Sequence, residues 1–145
     1  MSTAASMAGA YKALLESLGL GVAVYRDGAP TNPNGDVIAS SPFVVVTEQI
    51  GLEEGVSGSD LTVELVQVDL YQESRRATGG RVVSIESYTL PEGIAAALRG
   101  RGLEDYSPWH IYGTTAVGRR WPPSENLVRH TWTVTVTRSR DRKAT

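Results

Sequence analysis

The sequence has no cysteine, only two histidines, and no apolar run of the length a bilayer demands. Without cysteine there is neither a disulfide nor a thiolate metal site, and such a composition suits a reducing compartment. A spanning helix takes about 20 consecutive apolar residues, which excludes a helical membrane role. The opening Met1-Ser2-Thr3-Ala4-Ala5-Ser6 offers no basic segment followed by an apolar one, so no signal peptide is expected. The expected address is the cytoplasm. His110 and His130 each fall in a strand-like stretch beside an aromatic, and no Asp or Glu lies at a ligand-like spacing from either. Neither a metal nor a cofactor is expected.

What is present is globular. The 145 residues, 41% hydrophobic and 21% charged, suit one domain with a single core. The net charge of −2 hides an asymmetry. Residues 1–74 hold ten Asp/Glu against two Lys/Arg, a net of −8, whereas residues 75–145 hold six against twelve, a net of +6. The halves either neutralise each other within the fold or mate between copies, acidic surface against basic.

The run from Leu61 to Gln72, LTVELVQVDLYQ, reads as a central strand. Leu61, Val63 and Leu65 point one way while Val66, Val68 and Leu70 point the other, so the strand is expected to bend or change partners near Leu65. Ahead of it, Ser6 to Leu18 has helical spacing, with Ser6 as cap and Gly19 as stop. Val22–Tyr25 and Pro42–Thr47 read as strands about a turn-rich loop. The acidic connection Gly51–Ser59 then makes a long-looped antiparallel hairpin the economical topology. A short helix is expected between Glu73 and Tyr88 and a better one over Pro91–Leu98. Trp109–Tyr112 and Leu127–Arg138 complete the strands. The second of these alternates strictly: Val128, His130, Trp132, Val134 and Val136 share one face, with Arg129 and threonines opposite. The fold class is therefore α+β, one domain over residues 1–138 with an antiparallel or mixed sheet and helices on one face, followed by a basic tail at 139–145.

Known chemical motifs fail on their own terms. Gly113 to Arg120 has the glycine spacing of a phosphate loop, but arginines stand where lysine and a hydroxyl are needed. Gly19-Leu20-Gly21 precedes a strand instead of following one. No G-x-S-x-G elbow exists, and the adjacent Glu53 and Glu54 would face opposite ways on a strand. No catalytic residue is assigned. Contacts are the better use for the remaining clusters. Arg119, Arg120 and Trp121 place two guanidinium forks and an indole on an expected loop, and these types dominate interface hot spots. The other reading folds Trp121 back onto the sheet. Glu53 and Glu54 are their acidic counterparts, while the basic tail reads as a solvated end.

Taken together, the N-terminal helix ending in Leu14-Leu15-Glu16, the Val24-Tyr25 strand with its proline-bearing loop, the Pro42-to-Val46 strand, the acidic glycine loop, the Val63-to-Ser74 run and the final HTWTVTVTRS resemble the tail terminator (tail completion) proteins of long-tailed bacteriophages. The resemblance covers nearly the whole chain as a pattern of elements. It implies a non-enzymatic α+β virion protein forming a homohexameric ring that caps the tail tube, ends its polymerisation and joins it to the head connector. The implied partners are further copies, the tube protein and the connector protein, with DNA only passing through the lumen and no membrane. The implied location is the neck of the virion, after assembly in the host cytoplasm. One departure is the Thr78-Gly79-Gly80 stretch, which weakens the helix such proteins carry after the central strand. A head–tail connector or minor tail protein is the neighbouring reading. A small-ligand-binding or enzymatic α+β domain is the reading from another class.

Overall fold

In the computed structural model, which describes residues 7–49, 62–99, 109–124 and 127–140, the central run is the third strand of a five-stranded sheet. Among the described residues there are two helices, α1 (Met7–Ser17) and α2 (Thr89–Arg99). The strands are β1 (Ala23–Arg26), β2 (Phe43–Gln49), β3 (Thr62–Glu73), β4 (Arg75–Thr78), β5 (Arg81–Ser84), β6 (Trp109–Arg120) and β7 (Leu127–Arg140). The main sheet has the order β1-β2-β3-β7-β6, and β4 pairs only with β5. β1 runs parallel to β2 and every other neighbour is antiparallel, so this is a mixed sheet in a single α+β domain.

Both helices cover one face. Met7, Tyr11 and Leu15 of α1 and Ile94 and Leu98 of α2 are almost fully buried against Val44, Val46, Val66, Val68, Leu70 and Trp132. The alternation of β7 holds as expected: Val128, His130, Trp132, Val134 and Val136 are buried, and the intervening residues are half-exposed. Gly19, at φ +65, stops α1 in the left-handed conformation glycine adopts freely. Ser6, the expected cap, lies outside the described residues. Pairing between β2 and β3 is antiparallel over the described residues Leu65 to Tyr71, and β3 pairs with β7 without interruption from Thr62 to Glu73, so the described pairing shows no exchange of partner at Leu65. The acidic connection Gly51–Ser59 also lies outside the described residues.

Three expectations are corrected. The segment after β3 is a β-hairpin, not a helix. Gly79 and Gly80 take φ +57 and +76, the paired left-handed residues of a tight turn, and the β-branched Thr78, Val82 and Val83 favour extension on both sides. The strand expected over Trp109–Tyr112 continues to Arg120, so the glycine-spaced stretch from Gly113 is strand and forms no phosphate loop. Gly118 permits this, because the Trp132 indole occupies the space where a side chain would begin. Finally, β7 extends to Arg140, with Ser139 and Arg140 paired to His110 and Trp109.

The start of α2 is capped and anchored by side chains. The Ser87 hydroxyl accepts the Leu90 N–H at 3.2 Å, as an N-cap does. Gln72 of β3 in turn clamps Ser87, donating to its carbonyl and accepting its N–H, each at 3.0 Å. The helix start is thereby tied to the central strand.

Candidate interaction face

The face of the sheet away from the helices carries a connected set of side chains. Period-two alternation puts Phe43 and Val45 of β2, Gln67, Asp69 and Tyr71 of β3, and Arg129, Thr131 and Thr133 of β7 on that face. Register then aligns them: Phe43 lies opposite Tyr71, and Tyr71 opposite Arg129. Trp121, just past β6, joins the row through its N–H bond to the Arg129 carbonyl.

The row is a continuous stack. Tyr25 meets Phe43 edge-on at 6.1 Å, and Phe43 stacks on Tyr71 at 5.0 Å. The Arg129 guanidinium lies 5.8 Å from the Tyr71 ring and 5.5 Å from Trp121, and Arg119 covers Trp121 at 3.7 Å. Aromatic pairs contribute roughly 0.5–1.5 kcal/mol beyond burial and exposed cation–π contacts roughly 0.5–1 kcal/mol. The stack is thus a rigid surface across four strands, made of the residue types found at interface hot spots.

Beneath it sits Asp69, only 4% exposed. One carboxylate oxygen accepts from Arg129 Nε at 2.9 Å and from the Thr131 hydroxyl at 2.6 Å, and the other accepts from Gln67 at 2.7 Å. Trp121 Nε1 donates to that same Thr131 hydroxyl at 2.8 Å, which extends the network to β6. Burial pushes the Tyr71 hydroxyl above the ordinary phenol range, the Asp69 charge adds to this, and Arg129 opposes it.

Beside the stack, under the loop joining β1 to β2, is a cavity of about 390 Å³. Phe43, Val45 and Tyr71 form its floor, and Val37, Ala39 and Leu127 its walls. The loop is held in shape by Asn32, whose side-chain oxygen accepts the N–H groups of Asn34 and Asp36 at 3.0 Å each. This asparagine-centred turn keeps Val37 over the sheet.

The expected cluster Arg119-Arg120-Trp121 is divided by the strand. Arg119 stacks on Trp121 over the open face, and Trp121 does fold back onto the sheet. Arg120 points to the other side, where its guanidinium grips Glu86 through two bonds of 3.0 and 2.8 Å. Glu53 and Glu54 lie outside the described residues. Phe43, Asp69, Tyr71 and Arg129 were absent from the expected site. Their one signal is that Gln67 and Asp69 follow Leu65 on a single face of an otherwise apolar run.

On the helix side, the Glu86 carboxylate is almost fully buried, with Arg120 holding its pKa below the usual carboxylate range. His130 Nε2 stands 3.9 Å from it, the ring stacks on Trp132, and buried Nδ1 has no partner among the described residues. Burial lowers the His130 pKa and nearby Arg120 adds to this, with Glu86 opposing. The folded state therefore favours neutral histidine, and the unfolded chain binds the extra proton. This contribution to stability is complete above the unfolded value near 6.5 and is lost as pH falls below it, no more steeply than about 1.4 kcal/mol per pH unit for one proton. The Glu86 contribution has the same sign but is lost only below about 4.5. Urea melts at pH 7.5 and 5.5 are expected to show a lower midpoint at pH 5.5, and His130→Phe is expected to remove most of that difference. An unchanged difference in the variant would assign it to another group.

Among the described residues, no group of three His, Asp or Glu side chains converges to hold a metal ion, and no helix is long and apolar enough to cross a membrane. The chain matches no protein-family model and no curated protein.

Proposed function

We propose that this protein is a structural assembly component of a long-tailed bacteriophage, a tail terminator. In this role its copies close into a ring of six at the virion neck, cap the tail tube and meet the head connector. The observation that carries the reading is the open sheet face. Among the described residues its one buried carboxylate is engaged by three donors, and its aromatic and arginine groups stack on one another while Arg119 keeps its charge open, an arrangement suited to contact and not to turnover. The mixed α+β sheet with both helices on one face is in keeping with the plan the sequence resemblance implies. A ring needs two different surfaces that mate head to tail. The outer edges of β1 and β6, which have no further neighbour among the described residues, supply two such surfaces and leave the open face for the tube or the connector. A head–tail connector of the same particle would use the same surfaces.

Native mass spectrometry of the protein, alone and mixed with a tail-tube protein, tests this. A sixfold species in either sample is the expected result. A monomer in both would overturn the ring. The cavity beside Phe43 and Tyr71 favours a second reading, a small-ligand-binding domain, and a monomer would shift support to it.

A further inference from the structure

Two features of the open face are unused within the described chain. Arg119 lies on Trp121 with its exposed guanidinium facing no carboxylate among the described residues. The cavity of about 390 Å³ has an apolar, aromatic floor that nothing described fills. They are linked by one rigid row, Phe43–Tyr71–Arg129–Trp121, that crosses β2, β3, β7 and the end of β6. Three inter-strand steps of about 4.8 Å separate its ends by roughly 14 Å.

We infer that this face is a docking site for an extended segment of a partner protein, which seats an apolar or aromatic side chain in the cavity and places a carboxylate on Arg119. An extended chain rises about 3.3 Å per residue, so 14 Å corresponds to about four residues. Positions i and i+4 of an extended segment point the same way, so one strand-like segment reaches both ends of the row. Charge sets the sign of the partner. Asp69 is neutralised by Arg129, so among the described residues Arg119 is the charge on this face that no carboxylate meets. The cavity favours a side chain over a nucleic acid. Its floor of Phe43, Val45 and Tyr71 is mostly hydrocarbon, and Arg119 is a single cation where a phosphate backbone asks for several. The segment would lie across the strands of the open face, leaving the β6 edge free for a neighbouring copy.

The inference rests on the assembly reading and is tested with the full chain by amide NMR. The probe is a capped seven-residue peptide of serine and threonine with phenylalanine at its second position and glutamate at its sixth. Its controls carry glutamine for the glutamate, or alanine for the phenylalanine. Expected are shifts at Phe43 and Tyr71 together with Arg119 and Trp121. Arg119→Ala or the glutamine peptide should each weaken binding about three- to tenfold, and their combination should weaken it no further. Ala39→Leu, which narrows the cavity, should weaken the phenylalanine peptide and spare the alanine one. The unmoved remainder of the spectrum shows that each variant is folded.

Shifts indifferent to Arg119→Ala and to the glutamine substitution would overturn the inference. So would the same shifts produced by an eight-residue oligothymidylate and not by the peptide. Movement of these resonances with protein concentration alone would also overturn it, because the occupant would then be a second copy. Native mass spectrometry of Arg119→Ala and Ala39→Leu keeps the two failures apart. Rings without peptide binding remove this inference only, whereas missing rings in wild type remove the assembly reading.

Discussion

Asp69→Ala is expected to destabilise the protein by about 3 kcal/mol, read as a lower urea midpoint with an unchanged slope. The carboxylate is the shared acceptor of three side chains, and its loss takes this acceptor from the Arg129 guanidinium and the Thr131 hydroxyl. Removing one member of a buried pair typically costs about 3–5 kcal/mol. Arg129 is about a third exposed and rehydrates in part, which places the estimate at the low end. The Thr131 hydroxyl is the costlier orphan, since it loses its acceptor while still receiving the Trp121 N–H. Asp69→Asn keeps the shape and two of the three bonds, and the Gln67 amide can turn to meet it. It is expected to cost about 1–2 kcal/mol, the charge-assisted part of the interaction. An alanine effect below 1 kcal/mol would show that the sheet alone holds the open face in place.

Gly118→Ala is expected to destabilise by about 1–3 kcal/mol, against the usual sign for such a change. In most extended glycines the added methyl stiffens the unfolded chain and helps. The Gly118 backbone is free of left-handed strain, so conformation raises no objection here. Space does. The new Cβ would lie 2.7 Å from both Cδ1 and Nε1 of the Trp132 indole, which is 5% exposed and packed into the core. One of the two must move, and a close-packed interior resists this. In a Trp132→Leu background the clash disappears, so Gly118→Ala should there be neutral or favourable despite the lower starting stability. A coupling of at least about 1 kcal/mol in that double-mutant cycle is the expected measurement. Additive effects would mean that the indole moves aside at little cost.

Much of the architecture was legible because it rests on short-range pattern. The alternation in β7, the helical spacing of α1 and the Val66, Val68 and Leu70 face of β3 each follow from a period read within a dozen residues. β4 and β5 are not legible locally, because Arg81 to Tyr88 suits either helix or strand by composition and the pair Gly79-Gly80 weakens a helix without declaring a turn. β6 was cut short for a similar reason. Gly113 and Gly118 look like loop residues until Trp132 is known to lie against one of them. The open face was beyond local pattern altogether. Asp69 and Arg129 are 60 positions apart, and only the β3–β7 register brings them together. The same register explains Arg119 and Arg120. On a loop the two act together, whereas on a strand neighbouring side chains part company.

The strand order has a consequence for how the chain reaches this state. β6 is made before β7, yet in the sheet it pairs with β7 alone, and β7 lies between it and β3. The last of the described strands is inserted inside the sheet, between β3 and β6. Loop closure over such separations is entropically costly, and folds dominated by non-local pairings are slow, on the order of milliseconds to seconds. During synthesis, β3 keeps an open edge and Asp69 lacks its arginine until β7 has left the ribosome. The sheet therefore cannot be completed in the order in which it is translated. A nascent chain halted before Leu127 is left with a three-stranded sheet whose long β3 edge is bare, a stage exposed to misassociation.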